Sequence, residues 1–343
     1  MPRLIVLLLA VCAGVAWAQD EPPAAAPRDW LAPLYQDHLY LAVPDLADWL
    51  GATVDLDQAT GETSVAWQGH SLTFGPNRTE AQVDGRGVKL DGPTLDAGVA
   101  LAPARFLAEG LGFKLTWEAA AGSSTISDGQ RQMRLRPTSQ ITTLSATWPG
   151  DKQPTTIYHL SLRAANAGAR VDPPARVWLV RGGRNLASFT PSAPAQPTAG
   201  GLRLVDADGS GRPAILASWH SPEAKEAWTV AFILGWRDEA LTNLVAAQNG
   251  LLAVRAPGQM ELAAGSKGQP AKVTVWTPLP AQAGDGGKQL YWAGFYGWQD
   301  KAVRLVESRQ TEQPYAAADQ QKALIELGLR PAPAAGGEAK PKS

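Results

Sequence analysis

The sequence predicts an α+β fold, a duplicated small β-α-β-β module followed by a mainly antiparallel β-domain. Three observations carry the prediction. Two stretches match each other at an offset of 61 residues, and two tryptophan-containing hairpin patterns match at an offset of 62. The 34 glycines and 27 prolines among 343 residues favour turns and short strands over long helical bundles.

In chain order, residues 1–18 come first. Arg3 is a basic start, residues 4–15 are almost wholly apolar, and Ala16-Trp17-Ala18 is a small-x-small cleavage pattern. This is the pattern of a secretory signal peptide, so the mature protein is expected to be exported: periplasmic, cell-surface or extracellular. The apolar run is shorter than the ~20 residues that span a bilayer, which argues against a permanent membrane span. Cys12 is the single cysteine and lies in this segment. Val11 stands before it where lipidation wants a small residue. Cleavage then leaves a mature chain with no disulfide, thiolate metal site or thiol nucleophile. Residues 19–36 read as a linker.

Residues 37–137 read as the duplicated module. In the first copy Leu50-Gly51 is followed by Val54, Leu56, Gly61, Val65, Leu72 and Phe74. In the second, Leu111-Gly112 is followed by Leu115, Trp117, Gly122, Ile126, Met133 and Leu135. Each copy starts with an alternating strand (Leu39, Leu41; Val99, Leu101) that runs into Pro44 or Pro103, where the first turn of a helix tolerates a missing N–H. The helix has Leu46, Trp49 and Leu50, or Leu107 and Leu111, on one side, and stops at Gly51 or Gly112. Two strands follow around Gly61 or Gly122. Between the copies, Asp84-Gly85 marks a hairpin over residues 81–90.

The run Val83-Asp84-Gly85, Leu90 to Pro93, then Leu101-Ala102-Pro103-Ala104-Arg105-Phe106-Leu107-Ala108-Glu109-Gly110-Leu111-Gly112, with Leu115, Trp117 and Ile126 behind it, resembles the copper amine oxidase N-terminal-like domain. That family is also described as a stalk domain of exported bacterial proteins. In the oxidases the domain carries neither copper nor the quinone, so the resemblance implies an accessory envelope module with no copper. The first copy departs from the pattern, with Asp45 near the arginine position and Asp48 near the glutamate. Arg105 and Glu109 are read as a structural pair along the helix.

Residues 138–330 read as a β-rich domain with a short C-terminal helix, and residues 331–343 as a disordered tail. Strands are expected over 155–162 and 176–180, with a proline-rich loop over 191–201. Strands at 202–205 and 214–216 flank Asp206-Ala207-Asp208-Gly209-Ser210-Gly211, which resembles the calcium loops of integrin-like repeats. Asp206, Asp208 and Ser210 would be the ligands. Calcium takes six to eight oxygens, and Ala214 stands where the last side-chain ligand belongs. A hairpin held by Asx-type hydrogen bonds is the other reading. Gly235-Trp236-Arg237-Asp238-Glu239-Ala240-Leu241 and Gly297-Trp298-Gln299-Asp300-Lys301-Ala302-Val303 are the hairpin echoes. A helix is expected within 315–329, with Ala323, Leu324 and Leu327 on one side.

A charge balance of 31 basic to 32 acidic residues leaves no field to attract nucleic acid. Serine-elbow, zinc-helix, phosphate-loop and dinucleotide-turn motifs are absent. His38, His70, His159 and His220 lack metal-ligand spacing. The expectation is a non-catalytic exported protein, a stalk or adaptor whose partner is an envelope protein or cell-wall polymer. One alternative is a carbohydrate- or peptidoglycan-binding protein that uses exposed tryptophans, Trp236 and Trp298 foremost. The other is a hydrolase whose carboxylate pair is visible only in three dimensions.

Overall fold

The computed structural model describes residues 29–162, 176–191, 198–221, 228–246, 250–263, 265–279 and 286–330. The signal segment, the start of the linker and the tail lie outside the described residues, as does most of the 191–201 loop. The protein is mostly β, with three short α-helices among the described residues.

The first half runs β1 (Asp29–Tyr35), β2 (His38–Ala42), α1 (Val43–Leu50), β3 (Thr53–Leu56), β4 (Thr63–Trp67) and β5 (His70–Phe74). After the hairpin β6 (Glu80–Val83) and β7 (Arg86–Lys89) come β8 (Leu95–Asp96), β9 (Ala100–Pro103), α2 (Ala104–Gly110), β10 (Lys114–Glu118), β11 (Ser123–Ser127) and β12 (Gln132–Ala146). Both helices begin at proline and end before a left-handed glycine, Gly51 at φ 71° and Gly112 at φ 82°. β3 to β7 form a five-stranded meander. β2 and β9 pair antiparallel, Tyr40 opposite Pro103, Leu41 opposite Ala102 and Ala42 opposite Leu101. Between meander, helices and sheet lies one apolar core that includes Leu41, Leu46, Leu72, Leu107, Ile126 and Leu135.

Two boundaries differ from the sequence reading. Residues 29–35, expected in a linker, form β1, which runs parallel to β12 about a hundred residues downstream. The expected break at 137/138 falls inside β12, whose first part pairs with β11 and β1 and whose second part pairs with β13 (Thr155–Leu162). A second core spans that point, with Tyr35, Tyr40 and Leu101 packed against Tyr158, Leu160 and Trp178. Tyr158 and Trp178 stack at 5.0 Å. A long strand shared by two cores carries no local signal of a domain boundary.

The second half continues with β14 (Arg176–Arg181), β15 (Arg184–Phe189), β16 (Thr198–Val205), β17 (Ala214–Ser221), β18 (Trp228–Arg237), β19 (Ala240–Asn243) and β20 (Leu252–Arg255), all in the large sheet. A separate four-stranded sheet follows: β21 (Gln259–Ala263), β22 (Lys272–Pro278), β23 (Tyr291–Gln299) and β24 (Ala302–Gln310). A shared core joins the two sheets as a sandwich, with Val205, Ile233 and Val254 on one side and Val273, Val275 and Val303 on the other. α3 (Gln320–Glu326) closes the far face of the small sheet through Ala323, Leu324 and Leu327 against Trp276 and Tyr291. Both expected Gly-Trp hairpins form. Their turns, Asp238-Glu239 and Asp300-Lys301, have positive φ at both central residues, as two-residue hairpins require.

Candidate functional site

The acidic loop between β16 and β17 uses much of its own polar capacity. Asp208 Oδ1 accepts from the Ser210 amide at 3.1 Å and its hydroxyl at 2.5 Å. The Gly211 amide donates to Asp206 Oδ2 at 2.9 Å, and Arg237 lies 3.4 Å from Asp208 Oδ2. Burial pushes the Asp208 carboxyl up, but the Ser210 hydrogen bonds and the Arg237 charge outweigh it and hold the group below its ordinary value. These are the bonds of an Asx turn. Asp206 Oδ1 is buried without a partner and is the one oxygen of these two carboxylates with no bond in the loop. The loop backbone also ties the two sheets together: the Gly268 amide donates to Gly209 O at 2.7 Å and the Ala271 amide to Asp206 O at 2.9 Å.

The tryptophans of the second half are committed to packing to different degrees. Trp219 and Trp276 are fully buried, and the Trp219 Nε1–H donates to Leu160 O at 3.1 Å. Trp236 is half-buried beside Trp148, at 6.5 Å between ring centroids. Trp298 is half-buried on the sandwich core, with the Arg237 guanidinium 5.4 Å above its ring. The two rings expected to face a ligand are thus each partly covered by their own fold. Trp228 is 39 % exposed.

The histidines stand apart. His38 meets Asp91 at 3.4 Å and His70 meets Asp84 at 3.3 Å. His220 Nδ1 is 2.6 Å from Thr229 Oγ1, and His159 is buried against Trp219. Among the described residues no three His, Cys, Asp or Glu side chains converge as metal ligands, so the residues present do not fit a copper centre.

An open groove lies elsewhere, on the duplicated module. It has a volume of ≈ 490 Å³, and its walls include Trp117 and Leu115 of β10, Ser124 of β11, Arg105 at the start of α2, and the His38–Asp91 pair. Trp117 is 57 % exposed, the most exposed of the large apolar side chains among the described residues. Strand register explains why. Trp117 lies opposite Ser124 and shares a face with Leu115, which packs on the core, but it sits one alternation further along the strand and outside that core. Arg105 and Glu109 form the expected i,i+4 pair, 3.8 Å apart and both exposed, so Arg105 keeps donors for the groove. Sequence reasoning took Trp117 as a repeat position and as part of the family resemblance, not as a site residue. Alternation marks its face, and nothing local marks where the core stops.

The family model for the copper amine oxidase N-terminal domain matches residues 29–126 and, overlapping them, 91–157. No curated protein matches the chain.

Proposed function

With residues 29–157 matched to a copper amine oxidase N-terminal-like domain, we propose that this chain is a non-catalytic, exported cell-envelope protein, a stalk or adaptor whose β-domain and module contact an envelope protein or the cell wall. The observation that carries the reading is the reach of that domain through β12 into the second half. The Asn77 and Asn185 side chains, 3.1 Å apart, and the contacts of Asn185 and Arg176 with Asp96 and Ala97 clamp the β14–β15 hairpin onto the module. A continuous strand and a polar clamp suit a part that holds two surfaces at a fixed separation.

The module itself is read as a duplication. The series β2-α1-β3-β4-β5 recurs as β9-α2-β10-β11-β12, and the two family matches begin at Asp29 and Asp91. The β2–β9 register supports the reading, because exchanging each residue for the one 61 positions away returns the same pairs. The two copies would then be related by a twofold axis near Leu41 and Ala102, like an isologous dimer within one chain.

Two measurements test the proposal. Mass spectrometry of the protein from a fractionated host should find a mature N-terminus at Gln19 outside the cytosol. Purified protein should bind isolated cell wall or wall-free envelope extract. Uncleaved cytosolic protein would remove export, and binding to neither fraction would remove the adaptor role.

A further inference from the structure

The geometry points to a carbohydrate site in the Trp117 groove, built to hold a segment of uncharged polysaccharide. The inference rests on the wall-contact reading above and gives that contact an address and a ligand class.

A comparison within the chain carries the argument. Trp117, Ser124 and Pro137 line the groove together with Asp37 and His38. Exactly 61 residues away from each stand Leu56, Thr63, Pro76, Gly98 and Val99, and all five line a second groove, of ≈ 250 Å³. The fold therefore presents the same concavity twice, each time from strands of both copies. Only one of the two carries an open aromatic platform. In place of Trp117, Asp37 and His38 the other has Leu56, Gly98 and Val99, beside Asp57, Gln58 and Asp96. A role in folding alone would serve both grooves equally, so the difference between them marks a ligand.

The chemistry of the rim names the ligand class. A flat indole more than half open to solvent matches the apolar face of a pyranose ring. Around it the Arg105 guanidinium supplies donors, the Asp37 and Asp91 carboxylates supply acceptors, and the His38 imidazole, whose Nδ1 lies 3.4 Å from Asp91, supplies its Nε2. Sugar hydroxyls both donate and accept, and such a mixed rim satisfies them. With two carboxylates against one guanidinium, the rim has no positive excess to select an anionic polymer. The groove's volume falls within the ~300–1,000 Å³ of small-ligand sites. It is open to solvent along Trp117, so a chain can continue past it.

The test uses the purified protein with the N-acetylglucosamine hexamer and cellohexaose by calorimetry, and with soluble hydroxyethyl cellulose in affinity electrophoresis. The wild type is expected to bind at least one of these probes. Trp117→Ala and Arg105→Ala should each weaken that binding at least tenfold, while Trp228→Ala, at an exposed tryptophan of the β-domain, keeps it. Trp117 and Arg105 are both exposed, and unchanged urea midpoints for the two variants exclude misfolding. Binding to none of the probes, or wild-type affinity in Trp117→Ala, overturns the site. A concentration-dependent dimer that Trp117→Ala abolishes also overturns it, in favour of a second copy as the occupant. If Trp117→Ala still binds isolated cell wall like the wild type, the groove is wrong and the wall-contact reading stands. If the wild type fails on wall and envelope extract but binds a probe, the reverse holds.

Discussion

Lowering the pH from 7 to 4 should remove about 3 kcal/mol of stability through a single side chain, His159. Its ring lies at 0 % exposure between β12 and β14, 4.8 Å from the Trp219 ring. Nδ1 is 3.3 Å from Thr142 Oγ1, and Nε2 has no hydrogen-bond partner. Burial therefore pushes the imidazole down from 6.5 to about 4; the Ser218 backbone beside it opposes the shift without making a bond to Nε2. The unfolded chain takes up a proton as pH falls through 6.5, while the folded chain takes it up only near 4. Stability is thus complete above 6.5 and declines as pH falls toward 4. A gap of ~2.5 units at about 1.4 kcal/mol per unit gives about 3 kcal/mol. Urea unfolding of the wild type and of His159→Gln, at steps between pH 7 and 4, isolates this part, since the carboxylates titrate alike in both. Parallel pH profiles for the two proteins would refute the reasoning.

The other predictions are read by the same unfolding assay or by heat. Trp219→Ala should lose about 4 kcal/mol, because it opens a cavity in the core and leaves Leu160 O without its donor. Gly51→Ala should lose about 1 kcal/mol from backbone strain alone, since φ is 71° and a methyl group there meets nothing within 4 Å. Gly51→Asn, which tolerates that φ better, should recover part of the loss. Millimolar calcium should leave the Tm unchanged if the 206–211 loop is an Asx turn with Asp208 held by Ser210 and Arg237. A rise in Tm that Asp206→Asn abolishes would restore the cation reading.

Much of the local structure was legible because it follows from backbone chemistry within a few residues. Pro44 and Pro103 set the helix starts, and Gly51 and Gly112 set their ends. Asp84-Gly85, Asp238-Glu239 and Asp300-Lys301 turn where polar pairs interrupt alternation. The 206–211 turn also sits where its Asp and Gly residues put it. The partners of the strands were not legible. β1 pairs with β12 across the whole module, a partner that nothing within β1 itself names. The site shifted for the same reason. Trp236 and Trp298 drew notice as matching positions of the two hairpin echoes, yet their rings lie against Trp148 and beneath Arg237, contacts made by distant strands.

The sequence by itself determined where α1 and α2 begin and end, where the Asp84-Gly85, Asp238-Glu239 and Asp300-Lys301 hairpins turn, the repeat of 61 residues, and the resemblance that the family match supports over 29–157. The tertiary structure alone decided which strand edges meet and how far the core extends. It thereby decided that Trp117, rather than Trp236 or Trp298, stands most open to solvent. Alternation fixes the face on which a side chain lies, because successive residues of a strand point opposite ways. Whether that face is covered depends on elements packed from elsewhere in the chain, and no local pattern encodes their reach.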